Sequence, residues 1–254
     1  MTSTYIQITA AVLALGLAIA CGGDEKPPAR TAPPDAKRVD ASKAGSLNGR
    51  VTVDGPLPGN APIQLAADPA CARAHKEGAT ADTFVGENGG LGNVFVYVKD
   101  GLGGYYFEAP AEPVVLDQKG CQYTPHVLGV QVGQDVEFVN SDPTMHNVQA
   151  QATSNAEFNF GQPIQGQKST KFFSKPEVMV HMKCNVHNWM SAYIGVLEHP
   201  YFAVSKPGGE FAIQNLPAGT YTVEAWHEKL GTQTQQVTLA ENEKKAVTFT
   251  FKAS

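Results

Sequence analysis

From residue 47 onward, apolar and polar residues alternate in short runs. LNGRVTVDG (47–55) alternates and stops at a Gly-Pro turn, the period of a strand with one buried face. GNVFVYVKDG (92–101) carries Val94, Phe95, Val96, Tyr97 and Val98 without interruption, which predicts a strand buried on both faces. PVVLDQKG (113–120), VLGVQVG (127–133), DVEFVN (135–140), KSTKFFS (168–174), VMVHMKC (178–184) and YIGVLE (193–198) read as further strands. So do EFAIQNLPAGTYTVEAWHE (210–228), QQVTLAENE (235–243) and KAVTFTFK (245–252). The stretch 56–91 is rich in Gly, Ala and Pro, with room for one helical turn in ADPACARAHKE (67–77). Strands spaced roughly 8–12 residues apart, with no long helix, predict an all-β sandwich architecture.

Composition agrees: 25 Gly and 17 Pro supply tight turns, and 42% hydrophobic residues supply a core in a chain of 254. A net charge of -5 gives no electrostatic footprint for nucleic acid. The first residues differ from the rest. IQITAAVLALGLAIA (6–20) is an almost unbroken apolar run that ends at Cys21. It is shorter than the ~20 residues of a spanning helix. LAIAC resembles a lipoprotein signal, which implies an exported chain with lipid on Cys21; a cleaved ordinary signal and an uncleaved anchor are the other readings. GGDEKPPARTAPPDAKRVDASKAG (22–45) offers little to bury and is expected as a disordered tether.

The chemistry concentrates in CNVHNWM (184–190), where Cys184, His187 and Met190 stand three residues apart. Thiolate, imidazole and thioether form a donor set suited to copper. YTPHVLGVQVGQDVEFVN (123–140), SDPTMHNV (141–148), GQKSTKFF (167–173 with its preceding Gly166) and VMVHMKC precede that loop. Together these segments resemble the cupredoxins, the blue-copper Greek-key sandwiches of plastocyanin and amicyanin. The resemblance implies one type 1 copper held by His146, Cys184, His187 and Met190. It also implies that the Asn147 side chain ties the two ligand loops, and that Trp189 shields the metal or forms a docking patch beside an exposed edge of His187. With Cys21 lipidated and Cys184 on the metal, Cys71 and Cys121 remain for a disulfide; alternatively Cys184 pairs with one of them and leaves a free thiol.

Strand parity puts Val178, Val180, Met182 and Cys184 on a core face and turns His181 outward, to the surface or an interface. His126 stands where it could approach the metal, and His75 has no evident partner. YFAVSKPGGEFAIQNLPAGTYTVEAWHE (201–228) and GSLNGRVTVDGPLPG (45–59) resemble the carboxypeptidase regulatory-like domain, a transthyretin-like sandwich. The expected organisation is a signal over 1–21, a linker over 22–45, this second sandwich built from 46–105 and 199–254, and a cupredoxin domain over 106–198. His199 and His227 are expected as hydrogen-bonded junction residues, with a second metal site as the alternative. The functional expectation is a periplasm-facing, outer-membrane-anchored carrier of single electrons between redox partner proteins. It is not an enzyme, because four protein ligands leave no open position for a substrate. The alternative is copper delivery or sequestration, served by the extra histidines His126 and His181. A structural or adhesive module is a third reading.

Overall fold

Period-two alternation becomes strand throughout the computed structural model, which describes residues 31–253. In chain order the strands are β1 (Gly45–Asp54), β2 (Phe95–Asp100), β3 (Val114–Lys119), β4 (Gln122–Thr124), β5 (Val127–Gln131), β6 (Asp135–Asn140), β7 (His146–Gln151) and β8 (Phe158–Gln162). They continue as β9 (Lys168–Phe172), β10 (Glu177–Lys183), β11 (Ser191–Leu197), β12 (Phe202–Val204), β13 (Glu210–Leu216), β14 (Gly219–His227), β15 (Gly231–Leu239) and β16 (Lys244–Lys252). A 3-10 turn (Leu65–Ala67) and one short helix, α1 (Pro69–Ala74), lie between β1 and β2. Asp68 caps that helix, its carboxylate accepting from Ala70 N at 2.7 Å, and Pro69 opens it, the arrangement in which helix starts are most stable.

Two pairs of sheets form. In the first, β13-β1-β16 packs on β12-β2-β14-β15 around Leu47, Val96, Val98, Ile213, Val223 and Phe249. Here β1 runs antiparallel to β13 and parallel to β16, so strands from both ends of the described chain share one sheet. In the second, β5-β11-β10-β7-β8 packs on β4-β3-β6-β9 around Leu116, Phe138, Val148, Val180, Met182 and Ile194. The chain crosses repeatedly between these two sheets, with parallel pairing of β3 with β6 and β5 with β11.

The doubly apolar β2 joins the two halves. Val94, Val96 and Val98 face the first core, while Phe95 and Tyr97 face the junction, with Val127 and Leu197. Phe95 and Phe202 lie against Gly195 and Gly129, which are register partners on β11 and β5; a Cβ at either glycine would collide with those rings. Close approach of ring to backbone is what demands glycine there.

Three expectations are corrected. From Lys37 onward, the segment expected as a disordered linker is paired: Lys37 N donates to Gly104 O at 2.8 Å and Tyr106 N to Lys37 O at 3.2 Å, and Val39 packs on the first core. The middle of 46–105 does not pack with the rest of that stretch. Ile63, Leu65 and Cys71 belong to the second core, because a disulfide joins Cys71 to Cys121. The alternation in β10 also breaks at its start. A register shift between Glu177 and Val180 leaves both Val178 and Met179 packed at the junction. The expected signal over 1–21, the lipidation of Cys21 and the first part of the linker lie outside the described residues.

Candidate metal centre

β10 delivers Cys184 on its buried face, after Val180 and Met182. The chain then turns back into β11 through a loop closed by Met190 N donating to His187 O at 2.9 Å and Cys184 N to Met190 O at 3.4 Å. β7 lies antiparallel to β10, with Gln149 opposite Lys183. Its first residue, His146, therefore emerges at the same end as Cys184. Three donors from these two places converge. His146 Nδ1 stands 3.0 Å from His187 Nδ1, and Cys184 Sγ lies 3.9 Å from His187 Nδ1. His146, Cys184, His187 and Met190 are 0%, 1%, 2% and 1% exposed. Cys184 is a free thiol, and the Cys71–Cys121 bridge excludes the alternative pairing of Cys184 with either partner.

Hydrogen bonds hold the donors. Cys184 Sγ accepts from Asn147 N and His187 N, each at 3.4 Å. The Asn147 side chain joins the loops: its Oδ1 accepts from Asn185 N at 3.1 Å, and its Nδ2 donates to Phe160 O at 3.0 Å. Tyr123 Oη donates to Asn147 O at 2.8 Å and Lys183 O at 3.1 Å, clamping β7 to β10 from inside. Burial raises the Cys184 pKa, but hydrogen bonds from His146, His187 and the two amides outweigh it and bring the thiol down to about 6. Burial likewise pulls His146 down, and the Asp142 carboxylate and Cys184 thiolate outweigh it, raising the imidazole to about 9. Both shifts run in the direction that favours a charged pair, thiolate beside imidazolium, at these two buried donors.

Both histidines meet carboxylates on their far nitrogens. His146 Nε2 lies 2.9 Å from Asp142 Oδ2, and His187 Nε2 lies 3.2 Å from Asp68 Oδ2. Asp142 also accepts from Gly120 N and Cys121 N, each at 2.7 Å, fixing the β3–β4 turn, where Cys121 sits at φ 55°. The sequence reading missed both acids. An Asp four residues before His146 is a spacing that could have shown Asp142. Nothing local ties Asp68 to a histidine 119 residues later.

The exposed edge expected for His187 is absent. α1 and the disulfide cover it, with Cys71 Sγ 3.6 Å from Nε2. Trp189 stacks obliquely on His187, centroids 5.1 Å apart, and its indole donates to Cys121 O at 2.9 Å, so it packs the ligand loop onto the disulfide hairpin.

The remaining histidines are engaged elsewhere. His126 spans Ser191 O at 3.0 Å and Glu228 Oε1 at 2.6 Å. His181 is half-buried at the junction, stacked on Tyr193 at 4.8 Å and bonded to Ser191 Oγ at 2.7 Å. His75 Nε2 bonds to Gly120 O at 2.6 Å. His227 bonds to Thr83 O at 3.0 Å, while His199 accepts from Tyr201 N at 3.2 Å and lies beside Phe107 and Tyr201. Among the described residues, no group of metal-ligating side chains includes His199 or His227.

No family model matches the chain, and no curated protein matches it. Among solved structures it is similar to a copper-containing nitrite reductase (NirK) from Thermus scotoductus SA-01, at 25% identity over 37% of this chain and 24% of that one, with a TM-score of 0.33. It thus spans about a quarter of that reductase's length. It is also similar to a mutant amicyanin in the Cu(I) form, at 23% identity over 34% of this chain and 85% of that one, TM-score 0.30. A mutant amicyanin in its oxidised state matches at 24% identity over 33% and 81%, TM-score 0.30.

Proposed function

We propose that this protein is an exported, membrane-tethered carrier of single electrons with one type 1 copper held by His146, Cys184, His187 and Met190. The observation that carries the reading is the convergence of two imidazole Nδ1 atoms and one Sγ, all buried, with His146 coming from β7 and Cys184 and His187 from the loop that also carries Met190. A soft thiolate with two imidazoles and a thioether suits copper in both of its oxidation states, and copper there supplies a one-electron couple. The residues fit that task. Amide bonds to Sγ hold the thiolate in place, Asn147 locks the two ligand loops, and Tyr123 braces the strands behind them. Such outer bonds fix donor orientation, so little has to rearrange when the charge of the centre changes.

The same reading divides the chain into a copper-bearing sandwich over 106–198 and a transthyretin-like scaffold from 46–105 and 199–254. It gives Cys21 a lipid and a place at the periplasmic face of the outer membrane, where redox proteins exchange electrons with the centre. Copper delivery or sequestration would draw on spare histidines, and His126 and His181 are bonded to Glu228 and Ser191.

The test is addition of one equivalent of Cu(II) to the purified metal-free protein, followed by visible absorption and EPR. An intense blue thiolate band with narrow copper hyperfine splitting is expected. A pale, wide-hyperfine spectrum, or uptake of Zn(II) with no response to Cu(II), would remove the type 1 assignment.

A further inference from the structure

The outer nitrogen of His187 meets a residue from far away in the chain. Asp68 stands at the N-terminus of α1, within the stretch that crosses from the first pair of sheets to cap the second. The Cys71–Cys121 bridge, three residues beyond it, fastens that stretch down. The two carboxylate oxygens of Asp68 have separate tasks. Oδ1 caps the helix, accepting from Ala70 N at 2.7 Å. Oδ2 accepts from Thr144 Oγ1 at 2.6 Å and faces His187 Nε2 at 3.2 Å. Thr144 lies two residues before His146, so one carboxylate touches both ligand-bearing segments.

We propose that Asp68 is a positioning residue of the copper centre: it accepts the Nε2 proton of His187, fixes the tautomer that leaves Nδ1 bare toward the metal, and favours Cu(II) over Cu(I) with its negative charge. This inference rests on the copper reading above. A histidine that donates its second N–H to a carboxylate is a better and better-oriented donor, and loss of such a partner typically costs about 10–100-fold in metal affinity. Here the carboxylate comes from outside the sandwich that holds the ligands, so the centre is completed by the crossing segment. An electron reaching the metal by way of His187 has to pass this cap.

The test compares the full-length protein with Asp68→Asn. Asparagine keeps an oxygen for the helix cap and places an amide NH2 where Oδ2 stands, donor against donor at His187. In the copper-loaded proteins, Asp68→Asn is expected to shift the ratio of Cu(II) to Cu(I) affinity about tenfold toward Cu(I), a rise in potential of about 59 mV for a one-electron couple. Ring nitrogen NMR of the metal-free proteins is expected to show Nε2–H on His187 in the unsubstituted chain and a mixed or reversed tautomer in Asp68→Asn. Equal potentials in two blue proteins overturn this inference and leave the copper reading standing. Failure of the unsubstituted protein to form a blue site overturns both. Should Asp68→Asn fold poorly, the unsubstituted protein still decides: a His187 ring protonated on Nδ1 overturns the inference.

Discussion

Two residues divide the work of the centre between chemistry and support. In the proposed copper centre Cys184 supplies the thiolate, and Cys184→Ser is expected to abolish the blue band while leaving the metal-free fold intact, as circular dichroism and copper titration would show. Asp142 supports the hairpin that carries Cys121 as well as His146. Asp142→Ala would leave the half-buried amide of Gly120 and the buried amide of Cys121 without acceptors. Stranded buried donors cost about 1–3 kcal/mol each, so urea unfolding of the metal-free protein is expected to show a loss of about 3 kcal/mol. A loss below about 1 kcal/mol would mean that other acceptors replace it. At this scale the sequence was legible where chemistry leaves a local mark. Cys184, His187 and Met190 announce themselves by spacing, and Asn147 only through the resemblance to cupredoxins. Asp68 and Asp142 do not, because a carboxylate acquires its role from the group it meets in three dimensions.

Alternation predicted most strands, including the doubly buried β2, which separates one core from the junction. It missed β4, β7, β8 and β12. HNVQAQ has polar residues on both sides of its apolar ones, since His146 and Asn147 are buried while making hydrogen bonds to Asp142 and Asn185 instead of packing as apolar side chains. FAV is simply too short to show a period. The fit of elements at the junction is tight. Gly195→Val would force a side chain into the Phe95 ring, and overpacking of this kind costs about 1–3 kcal/mol; the melting temperature is expected to fall accordingly. Glu177 makes the start of β10 sensitive to acid. Its carboxylate accepts from Thr153 N, Thr153 Oγ1, Ser154 N and Asn155 N. Burial raises its pKa, and these bonds outweigh that and lower it to about 2. A depressed carboxylate adds stability that is complete above its unfolded pKa, the ordinary 4.5, and is lost as pH falls through about 2. Glu177→Gln is therefore expected to destabilise the protein at pH 7 and to flatten its stability profile between those values. An unchanged slope would show that the loop does not depend on the charge.

Across the molecule, the crossing segment and its disulfide turn two sandwiches into one centre. The bridge closes a loop of 50 residues, which corresponds to about 4 kcal/mol of chain entropy removed from the unfolded state. Replacing Cys71 and Cys121 with Ser is expected to cost about that much in a denaturant titration and to loosen the cap over His187. Sequence could count the cysteines but could not foresee that cap. The resemblance placed an open His187 edge at this end, and covering it requires a segment that local pattern assigned to the other sandwich. The central claim is that buried, well-braced donors hold one copper through a change of oxidation state. Voltammetry of the protein loaded with one copper per chain tests this most directly. A single reversible one-electron wave, with copper retained over repeated cycles, is the expected result. An irreversible wave, or copper released on reduction, would contradict electron transfer and move the protein to copper delivery.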